Sequence, residues 1–202
     1  MIEGYEAAKR TLDVVGAGVG LTLAAPVLAA AALAIRLEDG GPVFFRQERV
    51  GRDGATFEVL KLRTMIVDAH TQVAGFAVDR GDSRITRIGT LLRKTSVDEL
   101  PQLWNVLRGE MSLVGPRPTL AYQVERYTDE QRRRLDVRPG LTGWAQVNGR
   151  ASLSWPERIE LDVWYVQHRS LALDLRILLR TVGVLLRAAT VYRSETGGWR
   201  EP

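Results

Sequence analysis

At 202 residues, with 45% hydrophobic and 26% charged side chains, the chain has apolar material for one core and a small appendage. It has no cysteine, which excludes disulfides, thiolate nucleophiles and zinc–thiolate sites, and its two histidines, His70 and His168, lie far apart in sequence, which disfavours a histidine-rich metal site. The net charge of +4, carried far more by arginine than by lysine, suits nucleic acid, anionic lipid or phosphorylated ligands without choosing among them.

The first element is apolar. Val14 to Ile35 runs 22 residues without a charge, and Thr22 is its only polar side chain. As a straight helix this would cross a hydrocarbon layer of roughly 30 Å. Ala29 to Ala32 imitates the small-residue cleavage site of a secretory signal, but the apolar run continues past it to Ile35. Pro26 lacks an N–H and crowds the preceding turn, so a bend is expected there. Lys9 and Arg10 precede the segment and Arg36, Arg46 and Arg49 follow it, so the flanking charge sets no orientation. A helix that enters the bilayer, bends at Pro26 and returns to the same face satisfies both flanks. It is preferred here to an ordinary span. Gly16 and Gly20 form a small-xxx-small pair suited to close helix packing.

Residues 42–63 read as a β-hairpin, with Arg52-Asp53-Gly54 as its turn. Met65 to Val73 has helical character, Asp79 to Ser83 reads as a loop, and Ser83 to Leu92 as an element of undecided type. Leu100, Leu103, Trp104 and Leu107 then repeat at helical spacing. Ser96 and Glu99 have capping-box spacing and Pro101 suits a helix start, so the sequence predicts a helix from Ser96–Asp98 to Gly109. Thr119 to Arg134 reads as helical in two pieces, with a second capping pattern at Thr128 and Gln131. WPERIELDVWYVQHRS supplies another helix. In Leu171 to Ala189, Arg176, Arg180 and Arg187 fall on one stripe and Leu171, Leu178, Val182 and Leu185 lie opposite. That pattern suits a helix in a membrane interface, and equally a core helix with a solvated basic face. The expected fold is α+β and mostly helical. Its divisions are an N-terminal membrane helix at 1–40, a catalytic domain at 41–193, and a mobile tail at 194–202.

The densest chemistry lies between Arg93 and Pro118. Asp98 and Glu99 are adjacent carboxylates at an expected helix start, where the dipole and free N–H groups favour the ionised form. Such a carboxylate can act as a nucleophile or a metal ligand. A phosphoryl group it acquired would stay at an anion-binding helix end. Carboxylates are natural magnesium ligands, and arginine offers fork-shaped donors to phosphate. Arg93 is close in sequence, and Arg117 is held between Pro116 and Pro118. Lys61 and Arg63 on the second strand are further candidates to face phosphates. Each residue also has a plain structural reading as a cap, a surface charge or a rigid turn. Trp144, Trp155 and Trp164 suit either interface anchoring or core packing. His70 and His168 read as surface or hydrogen-bonding groups. Taken alone, these residues reach a membrane-attached basic enzyme or binding module. A nucleic-acid module would need basic residues interleaved with exposed aromatics, whereas a basic stripe on an apolar helix suits lipid better.

Several long segments, in this order, resemble the bacterial sugar transferase family, the monotopic phosphoglycosyl transferases. They are KRTLDVVGAG (9–18), GPVFFRQERVG (41–51), FEVLKLRTM (57–65), TSVDELPQLWNVLRGEMSLVGPRP (95–118), RPGLTGWAQVNGR (138–150) and LDVWYVQHRSLALDLRIL (161–178). The resemblance implies transfer of a sugar-1-phosphate from a UDP-sugar to polyprenyl (undecaprenyl) phosphate, giving a polyprenyl diphosphate sugar and UMP. Asp98 would be the nucleophile of a phosphosugar–aspartate intermediate. Glu99 would be its partner in metal or proton handling, and Mg2+ the cofactor. Arg93 would bind phosphate, and Arg117 with Pro116 would lie in the GPRP motif near the donor. The family also implies a re-entrant N-terminal helix broken at a Ser-Pro pair, here Ala25-Pro26, on the cytoplasmic face of the inner membrane. The chain has the size of the family's minimal catalytic unit, and homo-oligomerisation is left open.

Overall fold

The computed structural model describes residues 2–67, 69, 82–149 and 153–186. The expected tail, Arg187, His70 and most of the stretch from Met65 to Ser83, with its expected helical and loop pieces, lie outside them.

The first helix, α1 (Ile2–Asp39), is a single element with Pro26 inside it. Its apolar composition sustains helix on both sides of the proline, so Pro26 does not divide it. Asp13, Ala17, Ala24, Ala31 and Ile35 form its buried stripe, and the three alanines keep that stripe narrow enough for close packing. Contacts with the rest of the chain run along the whole helix. Lys9 pairs with Asp174 at 2.8 Å, and Arg10 donates to the carbonyls of Val106 and Leu107 at 2.6 and 2.8 Å. Asp13 accepts from Ser112 Oγ and the Leu113 N–H. Ala17 and Leu21 pack with Leu103 and Met111, and Leu28, Ala31 and Ile35 pack with Leu62 and Leu92. At the far end Glu38 accepts from the Arg87 N–H at 2.8 Å, and Asp39 pairs with Arg63. Both ends of α1 are therefore fastened to one domain. The opposite face leaves Leu12, Val15, Val19, Leu23, Leu33 and Leu37 exposed.

The expected hairpin forms. β1 (Phe44–Val50) and β2 (Thr56–Leu62) pair antiparallel from Phe44–Leu62 to Val50–Thr56, and alternation sends Val59 and Leu62 inward. α2 (Arg87–Thr95) starts at Thr86, whose hydroxyl accepts from the Gly89 N–H. The expected helix start at Ser96 does not form. Ser96 adopts a left-handed conformation (φ 59°) that ends α2, and its side chain caps nothing. An N-cap needs extended backbone, so a left-handed Ser96 cannot serve as one. Val97–Glu99 is a separate 3-10 turn, and α3 (Gln102–Arg108) begins only after Pro101.

A second sheet, not anticipated from sequence, pairs β3 (Ser112–Val114) with β4 (Gly140–Thr142) in parallel. Between them lie α4 (Ala121–Val124) and α5 (Asp129–Arg132), the latter with the expected Thr128–Gln131 capping box. α6 (Trp144–Val147), α7 (Trp155–His168) and α8 (Leu171–Leu186) complete the described chain. Tyr165 of α7 and Ile177 of α8 pack with Val114 and Val137 in one core cluster. Tyr5, Lys9 and Tyr165 all donate to the Asp174 carboxylate, which ties α1, α7 and α8 together. The outward face of α8 carries Leu171, Leu175, Leu179, Val182 and Leu185. Leu178, expected on that face, instead packs against the core.

Candidate active site

The elements converge on a cavity of about 430 Å³ lined by Asp98, Glu99, Arg93 and Arg117 and by polar groups of α4 and α7. The 3-10 turn after α2 supplies the carboxylates. Asp98 is 8% exposed and accepts no hydrogen bond from any described residue. Glu99 is held firmly: its Oε1 accepts from Lys61 Nζ at 3.0 Å and from Arg117 Nη2 at 2.6 Å. Two neighbouring acids thus have different situations, one free and one clamped.

Their electrostatics separate in the same way. Burial and the negative charge of Glu99 push the Asp98 carboxyl up to about 6, against the pull of Lys61, Arg93 and Arg117. This reverses the sequence expectation that a helix dipole favours the ionised form, because no helix begins at Asp98. Burial alone would raise Glu99 too, but the charges and hydrogen bonds of Arg117 and Lys61 more than offset it. They hold Glu99 well below the usual carboxylate range.

The remaining expected residues are distributed as follows. Arg93 lines the cavity and is steadied by a 2.8 Å bond from its Nε to Thr64 Oγ1. Lys61 reaches the site through Glu99. Pro116 is buried, and its carbonyl accepts from the Gly140 N–H at 2.8 Å, which fixes the turn that presents Arg117. Arg63 lies elsewhere. β2 ends at Leu62, so Arg63 leaves the face that Lys61 occupies and forms a two-bond clamp with Asp39 at the end of α1. His168 Nδ1 donates to the Trp164 carbonyl oxygen at 2.8 Å, and its ring stacks on the Trp164 ring. Trp155 lines the cavity, Trp144 stacks between Arg180 and Trp164, and Trp164 is partly exposed.

The cavity also contains residues that sequence reasoning missed. Arg49, at the end of β1, lines it, and its guanidinium is pulled down to about 10 by burial and by the like charge of Arg117. Arg134 and Asp162 form a buried ion pair in its wall. Burial pushes Asp162 up to about 6 against the pull of Arg134. One signal for Asp162 was present: with Ile159, Val163 and Val166 it completes the buried stripe of α7, where a carboxylate is out of place. The cavity as a whole carries more guanidinium than carboxylate, an environment fitted to phosphate groups.

A family model described as bacterial sugar transferase matches residues 4–188. The chain is 50% identical over 195 residues to the UDP-glucose:undecaprenyl-phosphate glucose-1-phosphate transferase of Caulobacter vibrioides, covering 91% of this chain and 72% of that protein. It is 46% identical over 178 residues to an uncharacterized sugar transferase, EpsL, of Bacillus subtilis, covering 88% of this chain and 87% of that one. It is 44% identical over 198 residues to the UDP-galactose-lipid carrier transferase of Erwinia amylovora, covering 91% of this chain but 41% of that longer protein. A match that runs from residue 4 to residue 188 takes in α1 and every element that lines the cavity, and the chain belongs to the bacterial sugar transferase family.

Proposed function

We propose that this transferase moves a sugar-1-phosphate from a UDP-sugar to polyprenyl phosphate by way of an acyl phosphate on Asp98. The observation that carries the reading is an unpartnered, buried Asp98 carboxylate facing an arginine-lined cavity. An oxygen of Asp98 attacks the phosphorus that bears the sugar. The bond from that phosphorus to the UMP oxygen breaks, and UMP leaves with the electron pair. An oxygen of the lipid phosphate then attacks the same phosphorus and releases the Asp98 carboxylate. Neither step needs a proton to be removed from the nucleophile once Asp98 is ionised, so no separate general base is required. Arg93, Arg117 and Arg49 stabilise the phosphate charge, and Glu99 keeps Arg117 and Lys61 in place.

Magnesium suits the donors present. Asp98 and the second oxygen of Glu99, which no described residue hydrogen-bonds, are two hard ligands of the kind that share this ion with substrate phosphates. Its contribution when bound would be to neutralise diphosphate charge. The relatives named for undecaprenyl-phosphate and lipid-carrier chemistry support the substrate pair.

The reading also places the protein on the cytoplasmic face of the inner membrane, with α1 bending at Pro26, which removes one intrahelical hydrogen bond, so that it dips into the bilayer and returns. Its support is the fastening of both ends of α1 to one domain, which keeps the residues before and after its apolar stretch on the same body. Single cysteines introduced as Gly4→Cys and Arg46→Cys into this cysteine-free chain should be labelled by an impermeant maleimide from the same side of sealed inverted vesicles. Labelling from opposite sides would replace the re-entrant reading with a span.

A pH dependence follows from Asp98. Only its carboxylate form attacks, and its folded pKa is raised to about 6. Turnover should be full above that value and fall as pH drops through it, roughly tenfold per pH unit below about 5. A profile of kcat/KM for the donor, which reports the free enzyme, that stayed flat between pH 4.5 and 7.5 would contradict this role.

A further inference from the structure

We propose that the buried Asp162–Arg134 pair is a positioning element that holds Arg117 against Glu99. The inference rests on the reading above of Arg117 as a phosphate-binding residue. The connections are continuous. Arg134, in the 3-10 turn Arg133–Leu135, donates through Nη2 to Asp162 Oδ2 and, at 3.0 Å, to the carbonyl oxygen of Arg117. Its Nη1 donates to Tyr127 Oη at 2.5 Å. Arg117 in turn donates through its own Nη2 to Glu99 Oε1, which Lys61 also holds.

The covalent neighbourhood of Arg117 makes its carbonyl an effective handle. Pro118 restricts the backbone of Arg117 to extended conformations, and Pro116 stiffens the residue before it. With so few torsions left, fixing the 117 carbonyl fixes the direction in which the Arg117 side chain leaves the turn. Arg117 itself is half exposed, with a side-chain accessibility of 49%, and burial does little to hold it. Arg134 is 4% exposed and both its Nη groups are already engaged, so it works through Arg117 and not on a ligand.

Stability alone explains the pair poorly. Desolvating two charges commonly offsets what their attraction returns, and an apolar pair of the same volume would serve as well. Asp162 Oδ1 is buried without a partner, which a purely structural pair would avoid. What an apolar pair could not do is donate to the 117 carbonyl.

The test compares Arg134→Lys, Arg117→Ala and the double variant in the full-length protein in detergent. Lysine keeps the charge but has one nitrogen in place of two on a shorter side chain, so it cannot hold Tyr127, Asp162 and the 117 carbonyl together. Hydrogen–deuterium exchange of the segment 111–120 should quicken in Arg134→Lys while the β1–β2 hairpin is unchanged. UMP release from a UDP-sugar should fall roughly tenfold to a hundredfold. In the Arg117→Ala background the same change should cost less than about twofold, because the residue it positions is gone. Unchanged exchange at 111–120, or turnover losses that simply multiply, would overturn the proposal. Asp162→Asn carries the same measurements should Arg134→Lys melt early. The exchange arm judges the positioning role even if the parent protein shows no turnover, an outcome that would instead remove the functional reading.

Discussion

Replacing Asp98 by asparagine is expected to reduce UMP release by about a thousandfold or more while the protein melts at, or slightly above, the parent temperature. The two halves of that expectation share one cause. Asp98 is buried, yet no described residue hydrogen-bonds its carboxylate. Asparagine has nearly the same shape and leaves no partner stranded. The folded pKa of Asp98, about 6, lies above the value of roughly 3.9 for a free aspartate. A raised acid pKa means that the folded protein binds the proton more tightly than the unfolded chain does. At neutral pH the ionised side chain is therefore a burden, on the order of 3 kcal/mol, which fades as pH falls from about 6 towards 4. The neutral amide removes it. A side chain kept at a cost to folding is what a reactive group in a strained site looks like. Mass spectrometry supplies the complementary reading. The parent enzyme, quenched with donor but without lipid acceptor, should carry a sugar phosphate on the peptide spanning 95–108, and Asp98→Asn should carry none. Parent-like turnover in the variant would remove the nucleophile assignment.

What could be read in the sequence was local. The hairpin, the Thr128–Gln131 capping box and the helices of 155–186 rest on spacings of a few residues, and all of them form. The helix start at Ser96 failed because capping spacing is blind to backbone conformation. A left-handed Ser96 closes one helix instead of opening the next. Arg63 was expected to face phosphates from the second strand as Lys61 does, but the strand stops one residue before it. The pairing of β3 with β4 left no periodic signal, since each strand has three residues and their partners lie 28 positions apart at Ser112 and Gly140. Arg49, Arg134 and Asp162 reach the cavity from separate elements that only the fold brings together. The nucleophile candidate and its partner were visible, therefore, while most of the apparatus around them was not.

The β3–β4 crossing is also where a single methyl group should do the most damage outside the reacting residues. A Cβ on Gly140 would lie 2.1 Å from the backbone nitrogen of Gly115 and 2.4 Å from the Thr142 carbonyl oxygen. No side chain can move aside, since both neighbours are main chain. Besides the ladder between the two strands, backbone bonds run here from Ser112 N–H to Pro139, Gly115 N–H to Thr142 and Gly140 N–H to Pro116. Alanine at 140 must push the strands apart and strain or break them. The third bond fixes the turn that carries Arg117, so the disturbance passes directly to Glu99 and the cavity. Gly140→Ala should cost about 3 kcal/mol or more, at the upper end of what overpacking does, and lower the melting temperature by roughly 6–12 °C. Turnover at a temperature where the variant is folded should still fall about a hundredfold, because Arg117 is displaced. Gly18→Ala is the control: its added Cβ meets nothing within 4 Å, and inside α1 alanine is the better helix former. It should leave turnover unchanged and the melting temperature equal or higher. If Gly140→Ala behaved like Gly18→Ala, the two strands could not lie this close, and the geometry assigned to the Arg117 turn would fall with them.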